Sequence, residues 1–226
     1  MAICQSLSSV NAQSSSAPTT AFVHFPHPTP PSWIGGAVPL PPVPDSVTIH
    51  PFLDGETPRS NYLFNLSWQY SYPMQLIDGQ RFRLSDDTLS QLATYPPMYF
   101  LRIVCDAIPD WSMIIEFDPD SHPEQMGRIS PYVPPLTLGD ILYQIHRTLH
   151  ERITHAEWED TDPAKRSKVN EAYLRRCKSE GPTEQERLKN DGVKKVDYLL
   201  DKIWFKGLIR TGAGREMLKL MVSSYN

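Results

Sequence analysis

Two histidines on one predicted helix have the residue type and the spacing that metal binding requires. His146 and His150 are four residues apart, so a helix would place both imidazoles on one face, where they could share a metal ion. His155 follows five residues later, which rotates a helix by about 140°, so it cannot join His150 in the chelating pair of a zinc protease. The sequence therefore predicts a candidate metal site at His146 and His150. A metal-assisted enzyme would complete this site with a carboxylate from another element.

A competing interpretation of the same two histidines is structural. On the helical wheel they fall beside an apolar stripe, which places them at the rim of the core. We favour this interpretation and expect His146 and His150 to hydrogen-bond the next helix. No cofactor is expected.

An alternating run of metal-ligand types follows a predicted strand, at Asp118, Asp120, His122 and Glu124. Hard cations prefer such oxygen ligands, but the glycine of a calcium-binding loop is absent. We therefore interpret this run as a solvated loop.

Cys105 and Cys177 are the candidate nucleophiles of the folded part. Cys105 falls in an apolar run, where a thiol acts as a small hydrophobic side chain. Cys177 has cationic neighbours, which lower the pKa of a thiol, but it lies near the C-terminal end of its predicted helix, where the dipole opposes a thiolate. We expect structural roles for both.

Charge is distributed unevenly along the chain. Residues 1–164 carry 7 basic and 18 acidic side chains, whereas residues 165–226 carry 15 basic and 8 acidic ones. A basic segment can bind the phosphates of nucleic acid, so binding through residues 165–206 is an alternative function. The cations on its first helix are Lys165, Arg166, Lys168, Arg175, Arg176 and Lys178. They spread around the helix, so we favour a basic helical layer that packs against an acidic remainder.

The first 46 residues differ in composition from the rest. Ten of the 22 prolines precede Phe52, and the segment has no apolar periodicity, so it cannot bury enough surface to offset chain entropy. We expect a disordered Ser/Pro-rich leader (residues 1–46) before a single domain (residues 47–226). Because the first 58 residues contain neither Lys nor Arg, a secretory or mitochondrial signal is not expected. No apolar run is long enough to cross a bilayer, so the chain is expected to be cytoplasmic or nuclear.

Strand signals flank the middle of the domain. Strands are predicted at VTIHPFL, at YLFNLSWQY, and at the apolar run Met98–Cys105, whose texture suits a central strand covered on both faces. Trp111–Phe117 would pair with that run through a turn at Pro109-Asp110. KIWFKGLIR and EMLKLMVSS form a second pair near the C-terminus.

Helix signals fill residues 137–191. Capping boxes are predicted at Thr137, Thr154 and Thr183, and Asp162 precedes a proline at the first helical position. The helix after Thr137 carries an apolar stripe, formed by Leu138, Ile141, Leu142, Ile145 and Leu149. Strands, inserted helices and further strands indicate an α+β fold: a largely antiparallel sheet with the inserted helices covering one face.

Several segments resemble a known family in their order and spacing. They are VTIHPFL, LSW, ATYPPMYFLRIVCDAIPDW, LTLGDILYQIHRTLHERITHAEW, VNEAYLRRCK and GVKKVDYLLDKIWFKGL. Together they resemble an uncharacterised domain family of mushroom-forming (basidiomycete) fungi, from about Val47 to the C-terminus. The resemblance implies a fungal intracellular protein with one domain, and it transfers no catalytic residues.

Our leading functional hypothesis is a non-catalytic protein-interaction or scaffold domain that has a protein partner. It would bind through exposed Pro-rich and aromatic sequence, including Trp33 and Trp158. Nucleic-acid binding and metal-assisted catalysis are the alternatives.

Overall fold

A four-stranded sheet with inserted helices forms the centre of the structure. This computed structural model describes residues 47–57, 61–116, 133–179 and 181–224. The predicted leader with Trp33 and the run from Asp118 to Glu124 lie outside the described residues. In chain order the elements are β1 (Thr48–Ile49), β2 (Tyr62–Leu63), β3 (Met74–Ile77), β4 (Gln80–Arg83), α1 (Asp86–Leu89), β5 (Thr94–Tyr95), β6 (Phe100–Cys105), β7 (Ile108–Glu116), α2 (Leu138–Leu149), α3 (His155–Asp160), α4 (Pro163–Lys178), α5 (Pro182–Asp191), a 3-10 helix (Lys195–Leu199), β8 (Trp204–Arg210) and β9 (Met217–Ser223).

Two antiparallel hairpins lie side by side in the main sheet. The strand order is β7-β6-β9-β8, with β6 antiparallel to β7 and β8 antiparallel to β9. The two hairpins join through the parallel pair β6–β9. A parallel pair needs a long crossover, and the helices supply it here. The prediction of an α+β fold with a largely antiparallel sheet is confirmed.

Strand β6 is central, as predicted, but only one of its faces is covered. Leu101, Ile103 and Cys105 are buried, whereas Phe100 and Arg102 are exposed. The prediction of a doubly covered strand was wrong. It was based on a nearly continuous apolar run, but the burial of these residues alternates with the strand period of two.

The hairpin turn between β6 and β7 was also predicted in the wrong place. Cys105 pairs with Ile108, so the turn is Asp106-Ala107 and the Pro109-Asp110 dipeptide lies inside β7. Two residues are enough to connect antiparallel strands.

The predicted N-terminal strands are shorter than their sequence patterns. Only Thr48–Ile49 and Tyr62–Leu63 are strands, in two small sheets of order β1-β5 and β2-β3-β4. The chain after β2 instead runs along β8, where Phe205 N donates to Phe64 O at 2.9 Å. Gly207 in β8 has a φ of +131°, and a Cβ there would lie 2.5 Å from the Cα of Gly55. A side chain at that position would collide with the neighbouring backbone.

The helix signals locate three of the four long helix starts correctly. Thr137 and Asp140 form a reciprocal capping box, Thr154 and Glu157 form another, and Asp162 caps α4. The fourth prediction was wrong: α5 begins at Pro182, which leaves Thr183 inside the helix. Proline is preorganised for the first helical position, so the helix begins two residues earlier than it would with Thr183 as its cap.

The core lies between the helices and one face of the main sheet. All five stripe residues of α2 are buried, at 1% exposure or less. The basic C-terminal part also pairs with the acidic remainder, as in Lys195 Nζ–Glu151 Oε2 and Lys219 Nζ–Asp106 Oδ2, both at 2.5 Å. None of the helices in the described ranges is long and apolar enough to span a bilayer.

Candidate functional site

The two histidines of α2 lie against each other. Their ring centroids are 4.1 Å apart, with an interplanar angle of 22°. His146 Nε2 is 2.8 Å from Trp68 O, and His150 Nε2 is 3.0 Å from Leu66 O. A carbonyl oxygen only accepts hydrogen bonds, so both Nε2 atoms carry the proton and donate. The pair therefore holds the segment around Ser67 against α2. The histidines were expected to bond the next helix, and that part of the prediction was wrong because their acceptors lie in the segment after β2.

Burial lowers the pKa of both imidazoles. Desolvation is the largest cause of the lowered pKa at His146. The hydrogen bond to Trp68 O raises this pKa, and the positive charge of Lys194 lowers it further. At His150 burial and then the neighbouring His146 lower the pKa to about 3. Both rings are therefore neutral at neutral pH, which allows them to stack without charge repulsion.

The structure brings the predicted metal ligands together, but each ring already uses Nε2 on a backbone carbonyl. A metal ion would have to coordinate through Nδ1 of both His146 and His150, or displace both hydrogen bonds. No group of three or more His, Cys, Asp or Glu suited to a metal ion occurs within the described residues. His155 is separate, exposed in the first turn of α3. The geometry favours the structural interpretation, while metal binding stays a prediction.

Arg176, one of the six predicted cations on α4, is buried. Its Nε and Nη2 each donate to a carboxylate oxygen of Asp197 at 2.8 Å, and Nη2 also reaches Gly192 O at 3.2 Å. Although burial works against the charge, the hydrogen bonds to Asp197 hold the pKa of Arg176 above its ordinary value. The remaining nitrogen, Nη1, is buried and has no hydrogen-bond partner among the described residues.

Three further cations of α4 donate hydrogen bonds to backbone carbonyl oxygens of the same chain. Lys165 Nζ donates to Ala107 O at 3.2 Å, Arg166 Nε donates to Thr161 O at 2.7 Å, and Arg175 Nη2 donates to Leu200 O at 3.4 Å. Lys168 and Lys178 are exposed. The predicted nucleic-acid set therefore does not form one solvent-facing surface, although the structure leaves the function itself a prediction.

A cavity of about 230 Å³ lies next to Arg176. Its walls come from the chain after β2, the end of α2, α4, α5 and the segment before the 3-10 helix. The lining residues are Ser67, Gln69, Tyr70, His150, Arg176, Arg187, Leu188 and Lys194. We call it the Arg176 cavity. All three charged residues on its described wall are cations.

A second cavity, of about 380 Å³, lies beside Trp111 and Tyr198. The two rings are 5.1 Å apart, and lysine ammonium groups already lie over both: Lys195 over Trp111 and Lys165 over Tyr198. Trp158, a predicted interaction residue, is half-buried and packs against the core. Its ring is therefore not the exposed aromatic surface that the sequence suggested.

Both cysteines of the described part are buried and reduced. Burial is the main cause that raises the pKa of the Cys105 thiol. Cys177 has 0% exposure. The structural roles expected for both agree with these environments.

One face of the main sheet is not covered by any of the elements in the described ranges. Phe100, Arg102 and Val104 alternate along β6 on the side opposite its buried residues, and Arg102 pairs with Ile114 on β7 and Met217 on β9. Phe100 is 44% exposed and Ile114 is 57% exposed. We call these five residues the open sheet face.

Sequence reasoning missed both the Arg176 cavity and the open sheet face. The sequence did contain a signal for the open sheet face. Arg102 interrupts the apolar run, and in a strand its side chain points to the face opposite that of its two apolar neighbours. The cavity had none, since Arg176 and Asp197 are 21 residues apart and nothing in either segment indicates the pairing.

Comparison with known proteins identifies a family. Residues 66–216 match a family of unknown function, DUF6699. The chain belongs to this family. The DUF6699 match includes His146, His150, Arg176 and all of β6 and β7, and it ends one residue before β9. No curated protein and no solved structure matches the chain.

Proposed function

We propose that this chain is a non-catalytic protein-interaction domain that binds its partner through the open sheet face. The observation that carries the proposal is the exposure of Phe100 and Ile114 on neighbouring strands, next to Val104 and Met217. Contiguous exposed apolar surface is rare on soluble proteins unless it serves binding.

The partner's surface can be inferred from what the face presents. Arg102 lies between Phe100 and Val104 on β6 and opposite Ile114 on β7. Arginine surrounded by apolar side chains is a common centre of a binding surface, because a desolvated guanidinium pairs strongly with a carboxylate. We therefore expect a partner that offers an apolar surface with an Asp or Glu near its middle.

The state of the candidate catalytic groups supports a non-catalytic function. His146 and His150 are neutral and donate to backbone carbonyls, and the thiols of Cys105 and Cys177 are buried. A catalytic base or nucleophile must reach its substrate, and these groups are engaged inside the fold.

The proposal extends to origin and compartment. The resemblance to domains of mushroom-forming fungi supports a fungal intracellular protein, in the cytoplasm or the nucleus. A basidiomycete lysate is therefore the first source in which to look for the partner.

The test compares the full chain with a variant of the open sheet face. Arg102→Glu with Ile114→Thr reverses the central charge and removes apolar surface, and threonine keeps a β-branched side chain at position 114. Proteins that co-purify from lysate are quantified for both chains, and the strongest is purified and titrated calorimetrically. Tyr143→Ser on α2 is the matched control, since Tyr143 is exposed on a different surface.

We expect the partner to bind the unaltered chain and the Tyr143 variant equally, and to lose at least about tenfold in affinity for the double variant. A partner whose affinity is the same for all three chains would contradict the proposal. If nucleic acid co-purifies instead, with an affinity that falls steeply with salt, the alternative function through residues 165–206 replaces it.

A further inference from the structure

The described ion pairs around the Arg176 cavity contain more cations than carboxylates. The ion pairs around it connect four cations to three carboxylates: Arg152, Arg176, Arg187 and Lys194 with Glu184, Asp191 and Asp197. Asp191 alone is shared by three of these cations, at 3.3 to 3.9 Å. Among these described residues the cations therefore outnumber the carboxylates by one.

Hydrogen-bonding capacity is also unused at this place. The side chain of Arg176 is 5% exposed, and Asp197 satisfies Nε and Nη2 but not Nη1. A buried donor without an acceptor costs free energy, so native proteins rarely keep one without a ligand, water or ion. Arg176 also lines the cavity, so an anionic group bound there would lie beside this guanidinium.

The remaining wall suits the rest of such a ligand. Tyr70 and Leu188 provide apolar surface, while Ser67 and Gln69 are polar. The cavity is smaller than the roughly 300–1,000 Å³ typical of sites for drug-sized molecules. Its volume therefore suits a small group, about the size of one amino-acid side chain that carries an anionic substituent.

We propose that the Arg176 cavity binds a phosphate monoester, carried either by a small molecule or by a phosphorylated side chain. Arg176, Lys194 and Arg187 contact the phosphate oxygens, and Tyr70 with Leu188 packs against the carbon body. A phosphate group has several oxygens, and each can accept a charge-assisted hydrogen bond from one of the three cations on the wall. The inference does not depend on the open sheet face.

Titration of the full chain with inorganic phosphate, at constant ionic strength in chloride, tests the proposal. We expect saturable one-to-one binding that raises the melting temperature. Lys194→Gln removes a cation whose side chain is 13% exposed, and it weakens binding by about tenfold. Arg187→Gln weakens it less, since that side chain is 48% exposed. Lys178→Gln on the exposed surface of α4 is the control and leaves binding unchanged.

The role of Arg176 itself needs a paired variant, because removing one member of a buried ion pair destabilises the fold. Arg176→Met together with Asp197→Leu replaces the pair by apolar side chains. We expect this chain to fold and to lose phosphate binding. Retained binding in a folded double variant would overturn the assignment.

Two further probes identify the source of the phosphate. Free phosphoserine that binds as tightly as a phosphoserine peptide indicates a small-molecule ligand. A phosphopeptide that binds at least about tenfold tighter than both free phosphoserine and its own unphosphorylated form indicates a modified protein. A melting temperature that responds to phosphate no more than to chloride, or acetate that binds as tightly as phosphate, contradicts the proposal.

Discussion

The histidine pair on α2 and the Arg176–Asp197 pair are both buried polar clusters, but they differ in how completely their hydrogen bonds are used. His146 and His150 each donate Nε2–H to a carbonyl. Arg176 lies beside a cavity, and its buried Nη1 has no hydrogen-bond partner in the part of the chain that the structure describes. The residue type alone pointed to the histidines. What distinguishes a binding site from a structural contact is the unused capacity, and by that measure the arginine is the better candidate.

The largest expected effect comes from breaking the ion pair. Arg176→Met leaves the Asp197 carboxylate buried and without its cation, which we expect to lower the free energy of unfolding by about 3–5 kcal/mol. Adding Asp197→Leu to the same chain should recover most of that loss. Urea denaturation of the two chains measures the difference. If the single variant is as stable as the parent, the pair is not buried as the structure describes it.

Acid should destabilise the fold through His150. Its pKa is 6.5 for the unfolded chain and about 3 when folded, so between these values the unfolded state binds a proton that the folded state does not. Stability is therefore full above pH 6.5 and falls as the pH drops, by roughly 2 kcal/mol from pH 8 to pH 5. His146, whose pKa is also lowered, adds to the fall.

Urea denaturation across this pH range, with His150→Gln beside the parent, isolates the effect. Glutamine keeps a donor near the Nε2 position but does not titrate, so we expect a flatter pH dependence for the variant. His155→Gln, at an exposed histidine, is the control. Identical slopes in all three chains would show that the imidazole of His150 is not buried in its neutral form.

A smaller effect on stability is expected from the N-terminal cap of α2, and it should leave the titration of the histidines unchanged. Thr137 Oγ1 accepts from Asp140 N at 3.2 Å, and Asp140 Oδ2 accepts from Thr137 N at 2.8 Å. Thr137→Ala removes one half of this capping box and should cost about 1 kcal/mol. The histidine titration followed by NMR should not change. A shifted titration would mean that the cap, and not burial, sets the protonation of the pair.

The smallest stability effect belongs to the open sheet face. Ile114 is 57% exposed, so Ile114→Thr should change the free energy of unfolding by no more than about 0.5 kcal/mol while it weakens partner binding. Thermal or urea unfolding of the variant checks the first half. A loss well above 1 kcal/mol would place Ile114 in a packed interface of the domain itself.

The elements that sequence could predict are those with local causes. The capping boxes at Thr137 and Thr154, the apolar stripe of α2 and the hairpin strands follow from interactions within a few residues. The α+β class follows from their order. Prediction failed where a long-range contact determines the local structure. The segment after β2 is held along β8 by hydrogen bonds such as Phe205 N to Phe64 O, so it does not extend as a regular strand.

The candidate sites show the same difference between features with local causes and features that depend on long-range contacts. The spacing of His146 and His150 placed both rings on one face, which is a local property of the helix. Their acceptors, Trp68 O and Leu66 O, lie about 80 residues away in the sequence and were not foreseeable. Arg176 appeared only as one cation of a basic helix, because its burial depends on Asp197.

One measurement tests the contrast between the two clusters directly: nitrogen-15 NMR of the histidine and arginine side chains in the full chain, at pH 7, during separate titrations with phosphate and zinc. We expect Nε2-protonated, neutral signals from His146 and His150 that stoichiometric zinc leaves unchanged, and Arg176 guanidinium signals that shift saturably with phosphate. Histidine signals that move with zinc while Arg176 ignores phosphate would contradict the account and restore the metal site.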